Sequence, residues 1–520
     1  MSSAKKHIIN KMYLEVNTNS RDKAYEIKDN LDVFLKEKVF PKLESHFEAL
    51  EKEYQFEIIR IEKLDLDLKF DHQFSNVELQ DEIIKSIDQE VRKKIKQQAT
   101  SDKGSDVFLS SEKSKLRTFL YFLKKGTAPW WDTKTTNFLH EIDQIEEIIN
   151  VSGFENAIIE NLKNHVSKQR LIKQFPDQVV RSVLMRMYTS ATYKINSEIL
   201  FGDELITYLE NGSVQNRERI WSAIVQYIYT KNDLEFYQIL KNIQLEHTEE
   251  LKNKKESISK EDTWLSKTID IIGLELNVLE EFNLEERSSD TDISQIKLIE
   301  NDIDQTPDQE NIHKEQVQEL EADFLTKNLK ENSQDDQNIK TQTDNADHDE
   351  IDDLVEESYY ISNAGLILLH PYLKYFFEHC NLLDDKSKNI KNQELATHLL
   401  HYVATQGHQQ PEHLMIFEKF LCNIPIHKPI ARDVTLLEEY KNHAENLLEA
   451  TLQNWGALKN ASPDLLRNEF IQRPGKLILK GDNPKIIIER KTQDILLDRL
   501  PWNISVIKLP WKDKLIFADW

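Results

Sequence analysis

The chain has 520 residues and a formal net charge of −24. It is long enough for several domains, and too acidic for a protein that binds nucleic acid or anionic membranes through basic patches. Two cysteines cannot form the disulfide framework of a small secreted protein, and residues 1–16 lack the apolar stretch of a secretion signal. These two features predict a cytoplasmic protein, and the scarcity of glycine, with 11 residues, favours a predominantly helical one.

An α+β unit is predicted over residues 1–105. Apolar residues alternate with polar ones at 7–16 and again at Leu64–Phe70, which predicts two strands. Apolar residues at helical spacing predict a helix after each strand. Pro41 is expected to bend or restart the first helix, and the second is predicted over Val77–Gln98.

A helical region is predicted over residues 106–286. Its apolar residues recur at helical spacing in short blocks separated by polar turns, which predicts short helices. The segment FLKKGTAPWW, at Phe122–Trp131, interrupts this pattern with a glycine and a proline. We find no repeat of fixed period.

An acidic linker is predicted over residues 287–357. Within it, Thr291–Glu357 contains 21 acidic and 5 basic residues, a net charge of −16 out of the total of −24. Such a composition buries too little apolar surface to offset the entropy lost on ordering, which favours a solvated tether. The alternative is a segment that folds on a partner, and apolar residues at helical spacing within Glu315–Leu329 suit that role.

A C-terminal domain is predicted over residues 358–520. It opens with the strongest apolar stretch of the chain, Tyr359–Phe377, which is too short for a membrane helix and carries His370 and Lys374. We interpret it as a buried helix in which Pro371 ends one turn or opens the next.

The end of this domain changes to a strand pattern. Gly481–Pro484 is a hairpin signal between two strands, and two further strands follow. The four predicted strands are Lys476–Lys480, Lys485–Glu489, Ile504–Leu509 and Leu515–Trp520. The fold class is therefore α+β and predominantly helical, ending in a small antiparallel sheet. Phe517 and Trp520 are expected to be packed.

No catalytic signature is present. The chain lacks phosphate-binding, dinucleotide-binding, zinc-protease and serine-hydrolase motifs, so we predict neither an enzyme nor a cofactor. His398 and His401 share a helical face, and a metal site there would need a third ligand such as His408, His413 or Cys422. Ordinary polar positions in a helical domain account for these histidines better, so no metal is predicted.

Tryptophans that follow proline, directly or as the second of a pair, form the other feature. They are Trp130, Trp131, Trp502 and Trp511. Proline fixes the backbone, and tryptophan brings a large apolar area with one hydrogen-bond donor. Two interpretations remain open, aromatic plugs that close a core and anchors that dock on neighbouring subunits.

Several blocks carry a resemblance to a known family. They are ISNAGLILLHPYL, HLLHYVATQG, PEHLMIFEKFLCNIP, LLRNEFIQRPGKL and DILLDRLPWNISVIKLPW, together with FLKKGTAPWW and HIINKMYLEV nearer the N-terminus. Their order and spacing resemble the tape measure family of bacterial contractile injection systems, which are phage-tail-like particles. The stretch from about Asp132 to Ser358 is mostly unmatched by the resemblance.

The resemblance implies a structural protein that sits with the inner tube and the baseplate or spike during assembly in the cytoplasm and helps to set tube length. It makes a homo-oligomer of three or six copies plausible, without nucleic acid and without membrane insertion. Even a fully helical chain of this length would span at most roughly 780 Å. From the sequence we expect two folded ends that dock, joined by the linker. The alternative is an assembly chaperone or baseplate adaptor that does not set length.

Overall fold

The computed structural model describes the chain in separate stretches. They are residues 33–54, 58–61, 75–99, 108–109, 111–129, 131, 142–188, 195–254, 264–273, 358–384 and 388–520, with single positions before residue 70 and at 386. The acidic segment 287–357 and most of the strand predicted at 7–16 lie outside them. The chain forms two compact units, Met1–Leu123 with Thr127–Lys163, and Lys124–Gly126 with Asn164–Trp520.

Two helices organise the first unit, α1 (Phe40–Tyr54) and α2 (Asn76–Ala99). The second confirms the helix predicted over Val77–Gln98. It begins with a capping box, in which the Glu78 backbone N–H donates to Ser75 Oγ at 3.2 Å and the Ser75 N–H donates to Glu78 Oε2 at 2.7 Å. Apolar residues of both helices and of the turn before α1 form one core: Val39, Leu43, Leu50, Ile83, Ile87, Val91 and Ile95.

Pro41 has the effect predicted for it. A π-helical turn at Leu35–Val39 directly precedes α1, and Pro41 is the second residue of that helix. Proline has no N–H to donate to the carbonyl of Glu37, and its ring crowds that carbonyl, so the turn widens before the α-helix restarts.

The strand predicted at Leu64–Phe70 is not found at the positions described there, Leu64, Leu66 and Leu68. The ladder of this unit instead joins β1 (Ile58–Ile59) to β2 (Phe108–Leu109), antiparallel. Leu64 and Leu68 still pack on the α1–α2 core, whereas Leu66 is exposed. Leu64 and Leu68 are covered without a strand partner and Leu66 is not covered, so the alternation here did not indicate a strand.

Short helices follow, as predicted. Among the described residues they are α3 (Ser111–Lys125), α4 (Ile142–Ile149), α5 (Phe154–Asn161), α6 (His165–Gln174), α7 (Asp177–Tyr188), α8 (Ser197–Leu200), α9 (Asp203–Asn211), α10 (Val214–Thr230), α11 (Asp233–Lys254) and α12 (264–273).

A partly buried polar cluster joins α6 and α7 to α10. The Arg217 guanidinium donates to the carbonyls of Ile172 and Phe175 at 2.6 and 2.9 Å, and to Asp177 Oδ1 at 2.7 Å. The indole N–H of the buried Trp221 donates to the same carboxylate oxygen at 2.7 Å. Arg217 therefore satisfies carbonyls at the end of α6, which fixes that helix against its neighbours.

The C-terminal domain contains helices and strands in alternation. Its helices are a 3₁₀ segment at Ala364–Leu369, α13 (His370–His379), α14 (Gln393–Thr405), 3₁₀ turns at Glu412–Leu414 and Gly456–Leu458, α15 (Ile416–Leu421), α16 (Glu438–Asn454), α17 (Pro463–Leu466), a π-helical turn at Arg467–Ile471 and a 3₁₀ segment at Thr492–Arg499. Its strands are β3 (Ser358–Ile361), β4 (Gly475–Ile478), β5 (Lys485–Ile488), β6 (Val506–Ile507) and β7 (Ile516–Asp519).

The stretch Tyr359–Phe377 is not one helix. It begins in β3, passes through the 3₁₀ segment and becomes α-helical at His370, where Pro371 occupies the first turn. Pro371 therefore opens a helix, which is one of the two roles predicted for it. Since nearly every side chain of the 3₁₀ segment is fully buried, its apolar run has no periodicity from which strand and helix could be told apart.

The predicted C-terminal sheet is confirmed, and it has one strand more than predicted. The strand order is β3-β4-β5-β7-β6, and β4 and β5 form the predicted hairpin. β3 enters from the start of the domain. β7 pairs with β5 in parallel and the other three strand pairs are antiparallel, so the sheet is not purely antiparallel as predicted. Trp520 packs against the core as predicted, but Phe517 is 38% exposed, so its predicted packing is wrong.

A glycine is required where the 3₁₀ segment meets the π-helical turn. A Cβ added to Gly365 would lie 1.7 Å from the carbonyl oxygen of Phe470 and 2.7 Å from Ile471 Cα. Both are backbone atoms, so a side chain could be accommodated only by separating the two segments. Gly456, in contrast, has no atom within 4 Å of such a Cβ.

We predict that Gly365→Ala destabilises the protein by about 1–3 kcal/mol or more, since the added methyl group forces apart two packed backbones. Thermal unfolding of the full chain would measure this as a lower Tm, and Gly456→Ala is the matched control, with a Tm within about 1 °C of the wild type. An unchanged Tm for Gly365→Ala would contradict the close approach.

Candidate functional site

Helix α6 makes a polar contact with the C-terminal domain, and both lie within the second unit. The Gln174 side chain donates to the Ile430 carbonyl at 2.7 Å and accepts from the Glu412 backbone N–H at 2.9 Å. The Arg432 backbone N–H donates to the Lys173 carbonyl at 3.0 Å. A helix that precedes the acidic segment 287–357 is thus hydrogen-bonded to the domain that follows it.

A buried ionic network lies at the centre of this contact. Arg170, Glu412 and Lys419 are each at most 1% exposed. Arg170 Nε donates to one oxygen of Glu412, and Lys419 Nζ lies 3.0 Å from the other. Lys419 Nζ also donates to the carbonyls of Ile426 and Lys428 at 2.6 and 2.7 Å. Burial lowers the pKa of Lys419, and Glu412 opposes that shift.

The Arg170 guanidinium is enclosed on its remaining sides. Its Nη2 donates to the His427 carbonyl. Gly126 lies against it with φ +74°, and a Cβ there would come within 2.7 Å of Nη2. The glycine of the FLKKGTAPWW segment is therefore required both by its left-handed backbone and by its contact with a buried cation.

A second polar cluster lies between the 3₁₀ segment, α14 and α15. The Asn363 amide donates to Glu418 Oε1 at 2.7 Å, and His401 Nδ1 lies 2.9 Å from the same oxygen. One turn earlier, His398 Nε2 lies 2.7 Å from the Ala431 carbonyl, and burial lowers the pKa of this imidazole. The two histidines therefore contact different protein groups.

Metal binding finds no support in this arrangement. Over the part of the chain that the structure describes, no group of three or more His, Cys, Asp or Glu side chains could hold a metal ion. Cys422, one of the possible third ligands, is buried, and burial raises the pKa of its thiol to about 12.

The segment Arg473–Gly475, the RPG of the LLRNEFIQRPGKL block, has a structural role. Arg473 is fully buried and donates to the Glu469 and Glu489 carbonyls at 2.6 and 3.0 Å. Its Nη2 lies 2.6 Å from Asp494 Oδ1, and the Trp520 indole donates to Asp494 Oδ2 at 3.1 Å. The motif therefore fastens Trp520 to the domain core.

The four tryptophans occupy different environments. Trp511 is 4% exposed, and its indole donates to the Leu421 carbonyl at 2.8 Å. Trp502 is partly exposed; it packs edge-on against Tyr372 and donates to the Leu368 carbonyl at 3.0 Å. Trp131 is also partly exposed, with the Arg60 guanidinium 3.5 Å from its ring centre. Trp130 lies outside the described residues.

Lys512 completes the surroundings of Trp511. Its Nζ lies 3.8 Å from the centre of the Phe420 ring and donates to Asn423 Oδ1 at 2.9 Å, while the Asn423 amide donates to the Trp511 carbonyl. Burial lowers the pKa of Lys512 to about 8. The cation is held by a ring face and an amide, with a carboxylate contributing only weakly.

These clusters hold segments together. Their polar atoms bind one another or the backbone, and among the described residues we find no nucleophile paired with a base and facing a cleft. Sequence analysis missed Arg170, Glu412, Lys419 and Arg473. One signal was present for Lys419, since Glu418 and Lys419 stand between phenylalanines in an otherwise apolar run, where a solvated pair is not expected.

A family model described as contractile injection system tape measure protein matches residues 6–520. No curated protein and no solved structure matches the chain. Among the helices that the structure describes, none is long and apolar enough to cross a membrane.

We predict that Glu412→Gln destabilises the protein by about 3–5 kcal/mol, because two buried cations lose the charge between them. The matched control is Glu378→Gln, which removes an exposed partner of Lys374 at 3.6 Å and should change little. Urea unfolding of both full-length variants would compare them, and equal midpoints would contradict a stabilising role for the buried carboxylate.

We also predict that the stability of the wild type rises relative to Lys512→Met between pH 8 and 10.5. Above its folded pKa of about 8 the buried amine is neutral, whereas in the unfolded chain it keeps its proton up to about 10.5. The unfolded state therefore binds more protons in this window, and deprotonation favours folding. Tm measured at several pH values tests this, with Lys514→Met as the control for loss of an exposed lysine. Parallel pH curves for wild type and Lys512→Met would contradict it.

Proposed function

Since this chain belongs to the contractile injection system tape measure family, we propose that it acts as the tape measure of a phage-tail-like particle and helps to set the length of its inner tube. The observation that carries the proposal is the family match over residues 6–520, which includes the segment 132–358 that the motifs left unmatched. Family membership associates the chain with the tube and other particle components.

In this proposal the folded parts dock on tube, baseplate or spike components, and the role is structural. The tryptophans Trp131 and Trp502 support docking, because each is partly exposed while a neighbouring group holds it in place. Trp511 is almost entirely covered, so it supports docking indirectly, by fixing the turn on which it lies. Assembly in the cytoplasm, with three or six copies, remains part of the proposal.

The closure of the second unit restricts how the acidic segment could measure length. The 71 residues of the acidic segment, 287–357, could extend to roughly 240 Å. However, Arg170 before the segment and Glu412 after it are in contact. The segment therefore leaves one unit and returns to it, and a loop of this length reaches about half of that distance.

One observation favours a second candidate, an assembly chaperone or baseplate adaptor that does not set length. A spacer under tension would separate its two flanks, and here the flanks are joined by a buried ionic network and by backbone hydrogen bonds. An adaptor would require only the folded surfaces. The two candidates differ in whether tube length follows the length of the segment.

We predict that tube length follows the length of residues 290–350. Deleting or inserting about 30 residues there should shorten or lengthen the tube by up to about 50 Å, half the contour length of the change, because the segment leaves the second unit and returns to it. Negative-stain electron microscopy of particles from producing cells measures this directly. A scrambled segment of unchanged length is the control, and it should leave the tube unaltered.

Intact particles of unchanged length from both the shortened and the lengthened variants would contradict the tape measure and support the adaptor. Loss of particles from those variants alone, with the scrambled control intact, would show that the length of the segment matters for assembly before the tube is complete.

A further inference from the structure

The outer face of the C-terminal sheet carries apolar side chains where solvent-facing strands normally place polar ones. The register brings nine residues onto this face in two rows. The rows are Tyr360, Lys476, Ile487 and Asp519, and Ser358, Ile478, Lys485, Phe517 and Val506. The opposite face, which includes Tyr359, Leu477 and Ile486, packs on the domain core.

The apolar residues of the outer face lie on all five strands, interleaved with Lys476 and Lys485, and four of the five are exposed. Tyr360 is 61% exposed, Val506 is 45% and Ile487 is 40%. Phe517 is 38% exposed. It pairs with Val506 on β6 and with Lys485 on β5, so it lies between these two strands on the outer face. Aromatic and aliphatic side chains grouped in this way on a sheet are typical of a surface that is covered in an assembly.

The charge of this face differs from that of the chain. Two lysines and one aspartate give it a net charge of +1, whereas the chain as a whole has −24. Lys485 is paired with Asp519 at 3.4 Å. Among the described residues no carboxylate lies within ion-pair distance of Lys476, whose Nζ lies 5.6 Å from the centre of the Tyr360 ring.

The exposed apolar residues and the net charge of +1 together indicate which kind of partner fits this face. A nucleic acid or an anionic membrane would require a larger basic patch than two lysines, one of them already paired. Two copies of the chain joined through this same face would bring two positively charged faces together. A protein surface with apolar side chains at its centre and a carboxylate opposite Lys476 satisfies both the apolar area and the charge.

We propose that the outer face of the sheet, centred on Tyr360, Ile487 and Phe517, is a docking surface for a particle subunit that presents an apolar patch with an acidic residue to Lys476. The inference rests on the proposed function only in taking the partner from the particle. It would make the C-terminal domain an anchor whose inner sheet face builds the core and whose outer face binds the assembly.

The test uses full-length protein in particle-producing cells, with a photo-crosslinking benzophenone amino acid at Tyr360 or at Phe517. Tyr375 on α13 is the matched control position, because its exposed fraction of 60% is nearly that of Tyr360, 61%. We expect both face positions to form an adduct with one and the same particle subunit, identified by mass spectrometry, in about fivefold greater yield than the control.

The charge is tested in the same cells. Lys476→Glu should lower the adduct yield about tenfold, and Lys476→Arg should retain it, since the first places like charges in contact. Purified variants should keep the wild-type Tm, because none of the changed side chains belongs to the core.

An adduct with a second copy of this chain, a yield no higher than at Tyr375, or a yield that Lys476→Glu leaves unchanged would each overturn the proposal. These outcomes are independent of tube length. If tube length follows residues 290–350 but no adduct forms, only the docking surface is wrong. If the adduct forms and tube length stays constant, the surface is supported and the ruler is wrong.

Discussion

The second unit depends on the carboxylate of Glu412, which is bound at one oxygen by Arg170 and at the other by Lys419. All three groups are excluded from water, so removing one would leave an uncompensated buried charge on the others. Arg170 reaches this site from α6, far earlier in the chain, and Gly126 supplies the backbone that covers it. The buried Glu412 carboxylate, through Arg170 and Lys419, therefore helps to position helix α6, the loop that carries the Ile426 and Lys428 carbonyls, and the turn at Gly126.

The C-terminal domain is held by contacts between the beginning and the end of its sequence. β3 at its start pairs with β4 near its end, and Gly365 allows the adjoining 3₁₀ segment to reach the backbone of Phe470. Arg473 then binds carbonyls and Asp494, which in turn receives the indole of Trp520. Such long-range closure requires most of the domain to be in place before β3 can pair with β4.

Periodic patterns predicted what depends on local spacing. The helix at 77–98, the restart at Pro41 and the hairpin around Gly481 depend on propensities and turn chemistry within a few residues, and they were correct. The parallel pairing of β7 with β5, the strand at Tyr359 and the exposure of Phe517 depend on which distant segments meet, and a pattern in one segment carries no information about that. The ionic network was missed for the same reason, since Arg170 and Glu412 are 242 positions apart and each looks like an ordinary charged residue. The resemblance in the motif blocks, in contrast, identified the family from the same sequence.

The position of the acidic segment within the second unit has a consequence for the covalent chain. The polypeptide on either side of it is joined by the Arg170–Glu412–Lys419 network, by Gln174 and by the backbone bond between Arg432 and Lys173. Continuity of the chain between residues 273 and 358 is therefore not what holds the two sides together. Proteolytic cleavage anywhere in that interval would leave two fragments that remain associated as a complex, and the C-terminal domain would stay with its helical neighbours.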